Sequence, residues 1–380
     1  MKKILALILA LVLVLGLVAC GETAQPKPEE KPAEAPAEAA SMKVAMITDY
    51  GDITDQSFNQ TTYEACKGYC EANSLDFNYF KPVSDSDADR IAMIETAIDG
   101  GFNVIVMPGY AFGNAIKATV GTYPDVTFIG LDVSAGDLGE DFQVPANLYC
   151  AVYQEELCGY MAGYAAAKLG YKKLGFLGGM AVPAVVRYGY GFVQGVDAAA
   201  AELGAADVSV NYAYGNQFYG DADITAAMDT WYQDGVEVVF ACGGGIFTSA
   251  AEAAAKVGGK VIGVDVDQSG VIDGTYGAGM TVTSAMKGLA ATVNTVLAQV
   301  KDGKFEGGKI DNLGLVSENP EENYVQIPST TQFGEGFTSE DYAKLVSAMF
   351  KGEVTVSNDI TASAADFAKT ITVNDMGNLK

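Results

Sequence analysis

The chain has 380 residues and carries 48 acidic against 23 basic residues, with no histidine, for a formal net charge of −25. This balance excludes a surface built to neutralise nucleic-acid phosphates or to dock on an anionic membrane. The absence of histidine from the sequence excludes Ser-His-Asp and Cys-His catalysis and histidine-ligated metals. The length suffices for two domains with sizeable cores.

The first 42 residues predict export and anchoring rather than a folded domain. Lys2 and Lys3 precede an apolar run at residues 4–14, and residues 17–20 read LVAC, the lipobox of bacterial lipoprotein signal peptides. The apolar run is shorter than the ~20 residues that a membrane-spanning helix needs. We therefore predict a signal peptide at residues 1–19 and a lipid on Cys20. Residues 20–42, rich in Pro, Ala and Glu, then form a tether.

Five cysteines remain beyond the predicted lipidation site: Cys66, Cys70, Cys150, Cys158 and Cys242. An odd number argues against a complete disulfide framework. Cys66 and Cys70 are spaced as helix neighbours, but no second pair completes a zinc site. We expect reduced, partly buried thiols and no resident metal, and the sequence leaves open whether Cys66 pairs with Cys70 or Cys150 with Cys158.

From residue 43 onwards, short apolar runs alternate with helical patterns. Strands are predicted at residues 44–47, 77–80, 104–107, 126–130, 147–152, 174–177, 208–213, 236–241, 261–264 and 276–282. Helices are predicted at residues 57–72, 87–99, 114–120, 155–169, 185–203, 223–233, 248–257, 284–300 and 339–350. The alternation restarts after the fifth strand, which predicts an α/β fold of two doubly wound lobes.

Motifs of phosphate and ester hydrolysis are missing from the sequence. It contains no GxxxxGK[ST], no GxGxxG after the first strand and no GxSxG. Residues 85–89 (DSDAD) resemble half a calcium loop without its glycine and glutamate, so we interpret them as a helix cap. Spacing alone leaves paired carboxylates for glycoside chemistry open, although no pair stands out.

The loop after the first strand carries side chains suited to a ligand. Asp49 can accept hydrogen bonds, Phe58 can stack, and Asn59 can donate and accept. Each also has a purely structural explanation, as a strand end, a hydrophobic staple and a solvated amide. Acids recur at strand ends, at Asp132 and Asp265. Three acids at carboxyl edges with few bases predict a neutral ligand rich in donors, such as a nucleoside or a sugar.

A set of short motifs resembles one family. The motifs are residues 47–49 and 55–60 (ITD, DQSFNQ), 129–132 (IGLD), 215–218 (GNQF), 243–245 (GGG), 262–268 (IGVDVDQ) and 283–287 (TSAMK). Together they resemble, over residues 43–300, the basic-membrane-protein lipoproteins, which are ABC-transporter substrate-binding proteins and include purine nucleoside receptors. The resemblance implies the type I periplasmic-binding-protein fold, with a ligand cleft between two lobes. The lobes would comprise residues 43–149 with 280–305, and residues 150–279 with 306–380.

The resemblance also implies ligand-binding roles for eight residues. They are Asp49, Phe58, Asn59, Asp132, Phe218, Gly243, Asp265 and Lys287. By resemblance, Phe58 and Phe218 would hold a base between them, one from each lobe. Asp49, Asn59 and Asp132 would form hydrogen bonds with the edge of the base. Asp265 and Lys287 would bind the ribose hydroxyls, and Gly243 or a neighbour would offer a backbone contact.

The function implied is that of a monomeric, lipid-anchored receptor on the extracytoplasmic face of the cell membrane. It would bind a nucleoside, need no cofactor, perform no catalysis and deliver its ligand to the permease and ATPase of an ABC transporter. Alternatives are a receptor for another neutral ligand, such as a sugar or a flavin-like compound, a nucleoside-cleaving hydrolase, and a signalling receptor. A nucleoside hydrolase would need an Asp-rich calcium site, and the sequence shows no convincing one.

Overall fold

The computed structural model describes residues 41–49, 51–139 and 141–380. In chain order, their strands are β1 (Lys43–Ile47), β2 (Asp76–Phe80), β3 (Val104–Pro108), β4 (Thr127–Leu131), β5 (Leu148–Tyr153), β6 (Lys173–Gly178), β7 (Ser209–Tyr214), β8 (Val238–Cys242), β9 (Lys260–Asp265), β10 (Thr281–Lys287), β11 (Lys309–Leu313), β12 (Val325–Gln326) and β13 (Thr372–Asn378). The helices are α1 (Phe58–Ala72), α2 (Asp87–Asp99), α3 (Gly113–Thr119), α4 (Ala135–Leu138), α5 (Glu155–Lys168), α6 (Pro183–Leu203), α7 (Ala222–Gln233), α8 (Phe247–Val257), α9 (Ser269–Tyr276), α10 (Leu289–Lys301) and α11 (Ser339–Phe350).

Two sheets organise two lobes. The sheet of the first lobe has the strand order β11-β5-β4-β3-β1-β2, and that of the second lobe β12-β10-β9-β8-β6-β7-β13. All pairs are parallel except β10 with β12. The chain passes between the sheets after β5, after β10 and after β11. The predicted α/β architecture of two doubly wound lobes is therefore confirmed.

The apolar runs become strands because both faces of each sheet are covered. In β1, Val44 and Met46 face one apolar core, and Ala45 and Ile47 face another on the opposite side of the sheet. None of these four residues has any exposed surface. Strands buried on both faces lose the alternation of polar and apolar residues that marks a half-exposed strand, which explains their continuous apolar character.

The segment around β10 differs from the sequence prediction. The predicted strand at residues 276–282 and helix at residues 284–300 are replaced by a strand that runs from Thr281 to Lys287 and a helix that begins at Leu289. Residues 283–286 instead pair with β9, where Met286 lies opposite Asp265. Ala285 and Met286 are good helix formers, so local propensity misplaced the boundary that sheet pairing determines.

The two sheets also assign some segments of the chain to a different lobe from the one predicted. Strand β10 belongs to the second sheet, although residues 280–305 were expected in the first lobe, whereas α10 does pack on α1. Strand β11 belongs to the first sheet, although residues 306–380 were expected in the second lobe. Strands β11 and β13 form sheet edges, are polar and contain no buried residue, so no apolar run marked them.

The N-terminal predictions fall largely outside the described residues. The signal peptide, Cys20 and all but the last two residues of the tether precede Ser41. Among the helices of residues 41–380 that the structure describes, none combines the length and apolarity needed to cross a bilayer.

Candidate functional site

A cavity of about 590 Å³ lies where carboxyl ends of strands from both sheets converge. This volume falls in the range of small-molecule pockets, which prefer this edge of α/β sheets. The cavity is lined by all eight residues that the sequence predicts for the site: Asp49, Phe58, Asn59, Asp132, Phe218, Gly243, Asp265 and Lys287. The fold thus brings together residues separated by up to 238 positions in the chain (287 − 49).

The start of α1 is held by a carboxylate. The Asp55 side chain accepts hydrogen bonds from the backbone N–H groups of Ser57 (2.9 Å), Asn59 (2.9 Å) and Gln60 (3.1 Å). Burial raises the pKa of Asp55, and these N–H donors oppose that shift. Asp55 therefore caps α1, and the Ser57 hydroxyl is available for another partner.

Asp49 and Asn59 lie beside the same tight loop. Asp49 Oδ1 accepts from the backbone N–H of Gly51 at 2.6 Å. A Cβ at Gly51 would lie 2.5 Å from Asn59 Nδ2, so only glycine allows the loop to approach the amide this closely. Asn59 is buried, and its Oδ1 has no hydrogen-bond partner within the described part of the chain. The amide oxygen is therefore an acceptor at the cavity in need of a donor.

Lys287 forms the charged centre of the cavity wall. Its side chain is 3% exposed, and its ammonium group donates to Asp132 and lies 3.4 Å from Glu155 Oε1 and 3.6 Å from Asp265 Oδ1. Burial alone would lower the pKa of Lys287, but the carboxylates of Asp132, Asp265 and Glu155 raise it well above the ordinary value. The ammonium therefore stays charged and joins acids of both lobes.

Glu155 and Arg187 are site residues that the sequence analysis missed. Glu155 is fully buried at the start of α5, and its Oε2 accepts from Arg187 Nε at 2.7 Å. Arg187, one of only two arginines in the sequence, also lines the cavity. Its pKa is raised because Glu155 more than offsets the effect of its burial. The rarity of arginine was the available signal; no local pattern links these two positions.

Aromatic rings surround the same ammonium group. The Lys287 nitrogen lies 4.8 Å from the ring centroid of Phe58, 5.5 Å from that of Tyr153 and 5.7 Å from that of Tyr188. These distances allow cation–π attraction, which is strongest in a desolvated site. Tyr153 and Tyr188 also escaped prediction, because tyrosines in apolar segments are usual core residues.

Phe218 lies against a glycine platform. A Cβ at Gly179 would come within 2.5 Å of the Phe218 ring and one at Gly243 within 3.0 Å, and Gly243 has a φ of 152°. The backbone N–H of Gly245 donates to the Phe218 carbonyl at 2.9 Å. The glycine turn therefore supports the Phe218 ring, a role that the sequence did not indicate. The predicted contact of Gly243 with a ligand stays a prediction.

The acids Asp132 and Asp265 share an unusual backbone. Their φ angles are 56° and 66°, in the left-handed region that non-glycine residues occupy only at a cost of about 1–3 kcal/mol. Asp132 Oδ1 is buried with no hydrogen-bond partner among residues 41–49, 51–139 and 141–380. Burial raises the pKa of Asp132 to about 6, while Lys287 acts in the opposite direction. Asp132 thus directs one unsatisfied carboxylate oxygen at the cavity.

The structure gives no support to metal binding in the part of the chain that it describes. No group of His, Cys, Asp and Glu there is arranged to hold an ion. In the segment of residues 85–89, Arg90 pairs with Asp85 and Asp87, and the Ser86 hydroxyl accepts from the backbone N–H of Asp89. These contacts match the interpretation as a helix cap. The five cysteines of the described residues are free and buried.

Two lobes with three crossovers and a cleft at their facing sheet edges define the class of bilobed α/β proteins. The structure is similar to a solute-binding protein of an ABC transporter system from Aeropyrum pernix K1. That match has a TM-score of 0.65 and 22% identity and covers 86% of this chain and 90% of the other. At this identity the likeness shows the fold, which is the predicted type I periplasmic-binding-protein fold.

The chain belongs to the family of PnrA-like ABC transporter substrate-binding proteins, whose family model matches residues 42–352. It is 29% identical over 293 residues to the ABC transporter nucleoside-binding protein BmpA of Lactococcus lactis, covering 72% of this chain and 79% of the relative. It is 26% identical over 302 residues to basic membrane protein B of Borreliella burgdorferi, covering 77% and 82%. The predicted family is confirmed, and it is one of binding proteins and not of enzymes.

Proposed function

We propose that this protein is a monomeric, lipid-anchored receptor on the extracytoplasmic face of the cell membrane. It binds a nucleoside, in particular a purine nucleoside, between its lobes and delivers it to an ABC permease and its ATPase. The observation that carries the proposal is that Phe58 and Phe218, from different lobes, line one cavity whose polar wall is rich in carboxylates. The name of the Lactococcus lactis relative supports the same ligand class.

The base would lie between the two rings. Stacking suits any planar heterocycle, so the side chains at its edge must select among ligands. Asp132 Oδ1 and Asn59 Oδ1 are buried acceptors without partners in the described chain, and each needs a hydrogen-bond donor. A purine combines N–H donors on its edge with a planar π face for both rings, whereas a sugar offers hydroxyl donors without a π face.

The sugar would lie beside the charged centre. Asp265 can accept from hydroxyl groups, and Lys287 can donate to them. Six aspartates line the cavity, against the three cations Lys81, Arg187 and Lys287. Glu155 adds a further carboxylate beside Lys287. This excess of acids disfavours a phosphate, so the site suits nucleosides better than nucleotides.

Phe58→Ala and Phe218→Ala should each weaken nucleoside binding by about 1–3 kcal/mol, because each removes one stacking face. Titration calorimetry with inosine and guanosine measures the loss. Phe350→Ala is the control, since this ring is 44% exposed at the end of α11, outside the cavity lining, and should leave affinity unchanged. Wild-type affinity in both cleft variants would show that the two rings only pack the protein.

Nucleoside affinity should fall by about tenfold between pH 7 and pH 5. A ligand donor on Asp132 Oδ1 requires the ionised carboxylate, and the pKa of this group is about 6 before binding. Below pH 6, nucleoside binding therefore releases a proton from Asp132. The affinity rises as the pH increases through 6 and levels off above it. Calorimetry at both pH values tests this expectation.

Asp132→Asn is the matched control for the pH series, since it keeps the shape and removes the titration. Burial also raises the pKa of Glu156, to about 7, and its side chain does not line the cavity. A pH dependence that persists in Asp132→Asn would assign the titration to Glu156 or another group, and would remove Asp132 as the ionised acceptor.

Cys20→Ala should release the protein from membranes, because Cys20 follows the LVA motif of residues 17–19 and would carry the lipid anchor. Cell fractionation with a high-salt wash measures the distribution. Cys70→Ala removes a thiol of the folded body and should leave the protein in the membrane fraction. A Cys20→Ala protein that still sediments with membranes after the wash would contradict lipid anchoring.

A further inference from the structure

Two hydrogen bonds beside the cavity join the lobes directly. Ser57 Oγ donates to Asp265 Oδ2 at 2.6 Å, and Gln268 Nε2 donates to the backbone carbonyl of Gln56 at 3.0 Å. Gln56 and Ser57 precede α1 of the first lobe, whereas Asp265 and Gln268 lie at and just after the end of β9 in the second. We call these four residues the inter-lobe latch.

Local structure orients both donors of the latch. Ser57 is 0% exposed, and because Asp55 caps α1, the Ser57 hydroxyl is not used by the helix. Gln268 is 1% exposed, and its Oε1 accepts from the backbone N–H of Val264 at 2.9 Å. That bond fixes the amide so that Nε2 faces the first lobe. Gln56 has a left-handed φ of 57°, a strained conformation more often found at functional sites than in ordinary loops.

The Asp265 carboxylate receives different partners on its two oxygens. Ser57 occupies Oδ2, whereas Oδ1 lies 3.2 Å from the hydroxyl of Tyr188 and 3.6 Å from the ammonium of Lys287. Tyr188 and Lys287 belong to the same lobe as Asp265, so Ser57 is the partner that arrives from across the cleft. A charge-assisted bond at this distance is among the stronger protein hydrogen bonds.

We propose that Ser57 is a positioning residue for ligand recognition, and that the inter-lobe latch orients the Asp265 carboxylate toward the ligand only when the lobes are closed. The inference rests on the proposed function, in that it takes Asp265 to contact a ligand hydroxyl. The latch adds a contact made only in the closed form, which shifts the equilibrium toward closure before any ligand contributes. Both the selectivity for the ligand and the closure of the lobes therefore depend on the Ser57 hydroxyl.

The test is a double-mutant cycle of Ser57→Ala and Asp265→Ala, followed by titration calorimetry with inosine and 2′-deoxyinosine. Ser57→Ala should weaken inosine binding about tenfold or more, as expected for a bond to a charged group, and reduce the preference over 2′-deoxyinosine. In the Asp265→Ala background, where the acceptor is absent, the same substitution should cost less than about twofold. Equal losses in both backgrounds would overturn the proposal, because Ser57 would then not act through Asp265.

Thr119→Val is the matched control. Thr119 is buried like Ser57, but the Thr119 hydroxyl donates within its own helix, to the carbonyl of Ala115 at 2.8 Å. This variant should keep the wild-type affinities for inosine and 2′-deoxyinosine.

Gln268→Glu is the second latch variant, which replaces Ser57→Ala if that variant does not fold. It keeps the oxygen that accepts from Val264 and replaces the donor that faces Gln56, and it too should weaken inosine binding.

A measurement without ligand separates the latch from the proposed function. Loss of the latch should populate open conformers, so the radius of gyration from small-angle scattering should be larger for Ser57→Ala than for the wild type. An unchanged radius would overturn the latch, whatever the protein binds. If the wild type binds neither nucleoside, the proposed function fails, and the scattering comparison still decides on the latch.

Discussion

Lys287→Met is expected to destabilise the fold by about 3–5 kcal/mol and to abolish nucleoside binding. The ammonium is the cation that Asp132, Glu155 and Asp265 share, and its side chain is 3% exposed. Removing one partner of a buried ionic network leaves uncompensated charges in a poorly solvated site, which is far costlier than losing a surface pair. Urea unfolding measures the loss of stability.

Lys309→Met is the control for this experiment. Lys309 pairs with Glu306 and Asp311, but its side chain is 39% exposed, so its loss should cost less than about 1 kcal/mol. A Lys287→Met protein as stable as Lys309→Met would contradict the account of the charged centre. In that case Lys287 would not be the group that neutralises the acids of the two lobes.

Asp265→Ala is expected to weaken nucleoside binding by several kcal/mol and to remove the preference for ribose over 2′-deoxyribose. The substitution leaves the buried Ser57 hydroxyl without its acceptor and takes one carboxylate from Lys287. Buried donors without partners cost more than the net value of the bonds they made. A ligand hydroxyl would also lose its acceptor, so the deoxynucleoside would no longer bind more weakly than the nucleoside.

Asp273→Ala separates this effect from a general loss of stability. Asp273 lies in α9 of the same lobe, where its carboxylate accepts from the backbone N–H groups of Gly279 and Thr281. Its removal should lower the unfolding midpoint and leave the ribose preference intact. If Asp265→Ala still discriminates ribose from deoxyribose, Asp265 does not read the hydroxyl, and the sugar lies elsewhere in the cavity.

The sequence reveals the fold because its strands are buried on both faces. Residues such as Val44 and Ile47 form unbroken apolar runs, and parallel sheets place the residues that follow those runs along one edge. For this reason Asp49, Asp132 and Asp265 could be predicted to lie at the same cavity. The polar edge strands β11 and β13 lack such a run and could not be found in this way.

Sequence patterns could not predict the contacts between distant segments of the chain. Ser57 bonds to Asp265, 208 positions away, and this bond depends on the closeness of two lobes. No local pattern singled out Glu155 and Arg187, although they form a partly buried pair beside Lys287. Each of these roles comes from a partner more than 30 positions away, and local periodicity carries no information about such partners.

The most direct test of the account is titration of inosine into full-length protein that has been unfolded, freed of bound small molecules and refolded. We predict one inosine per chain, weaker binding of 2′-deoxyinosine, and no measurable binding of glucose or inosine monophosphate. Intact inosine should be recovered afterwards, with no free hypoxanthine. Binding of glucose without binding of any nucleoside would contradict the central claim that this cleft is built around a base and its ribose.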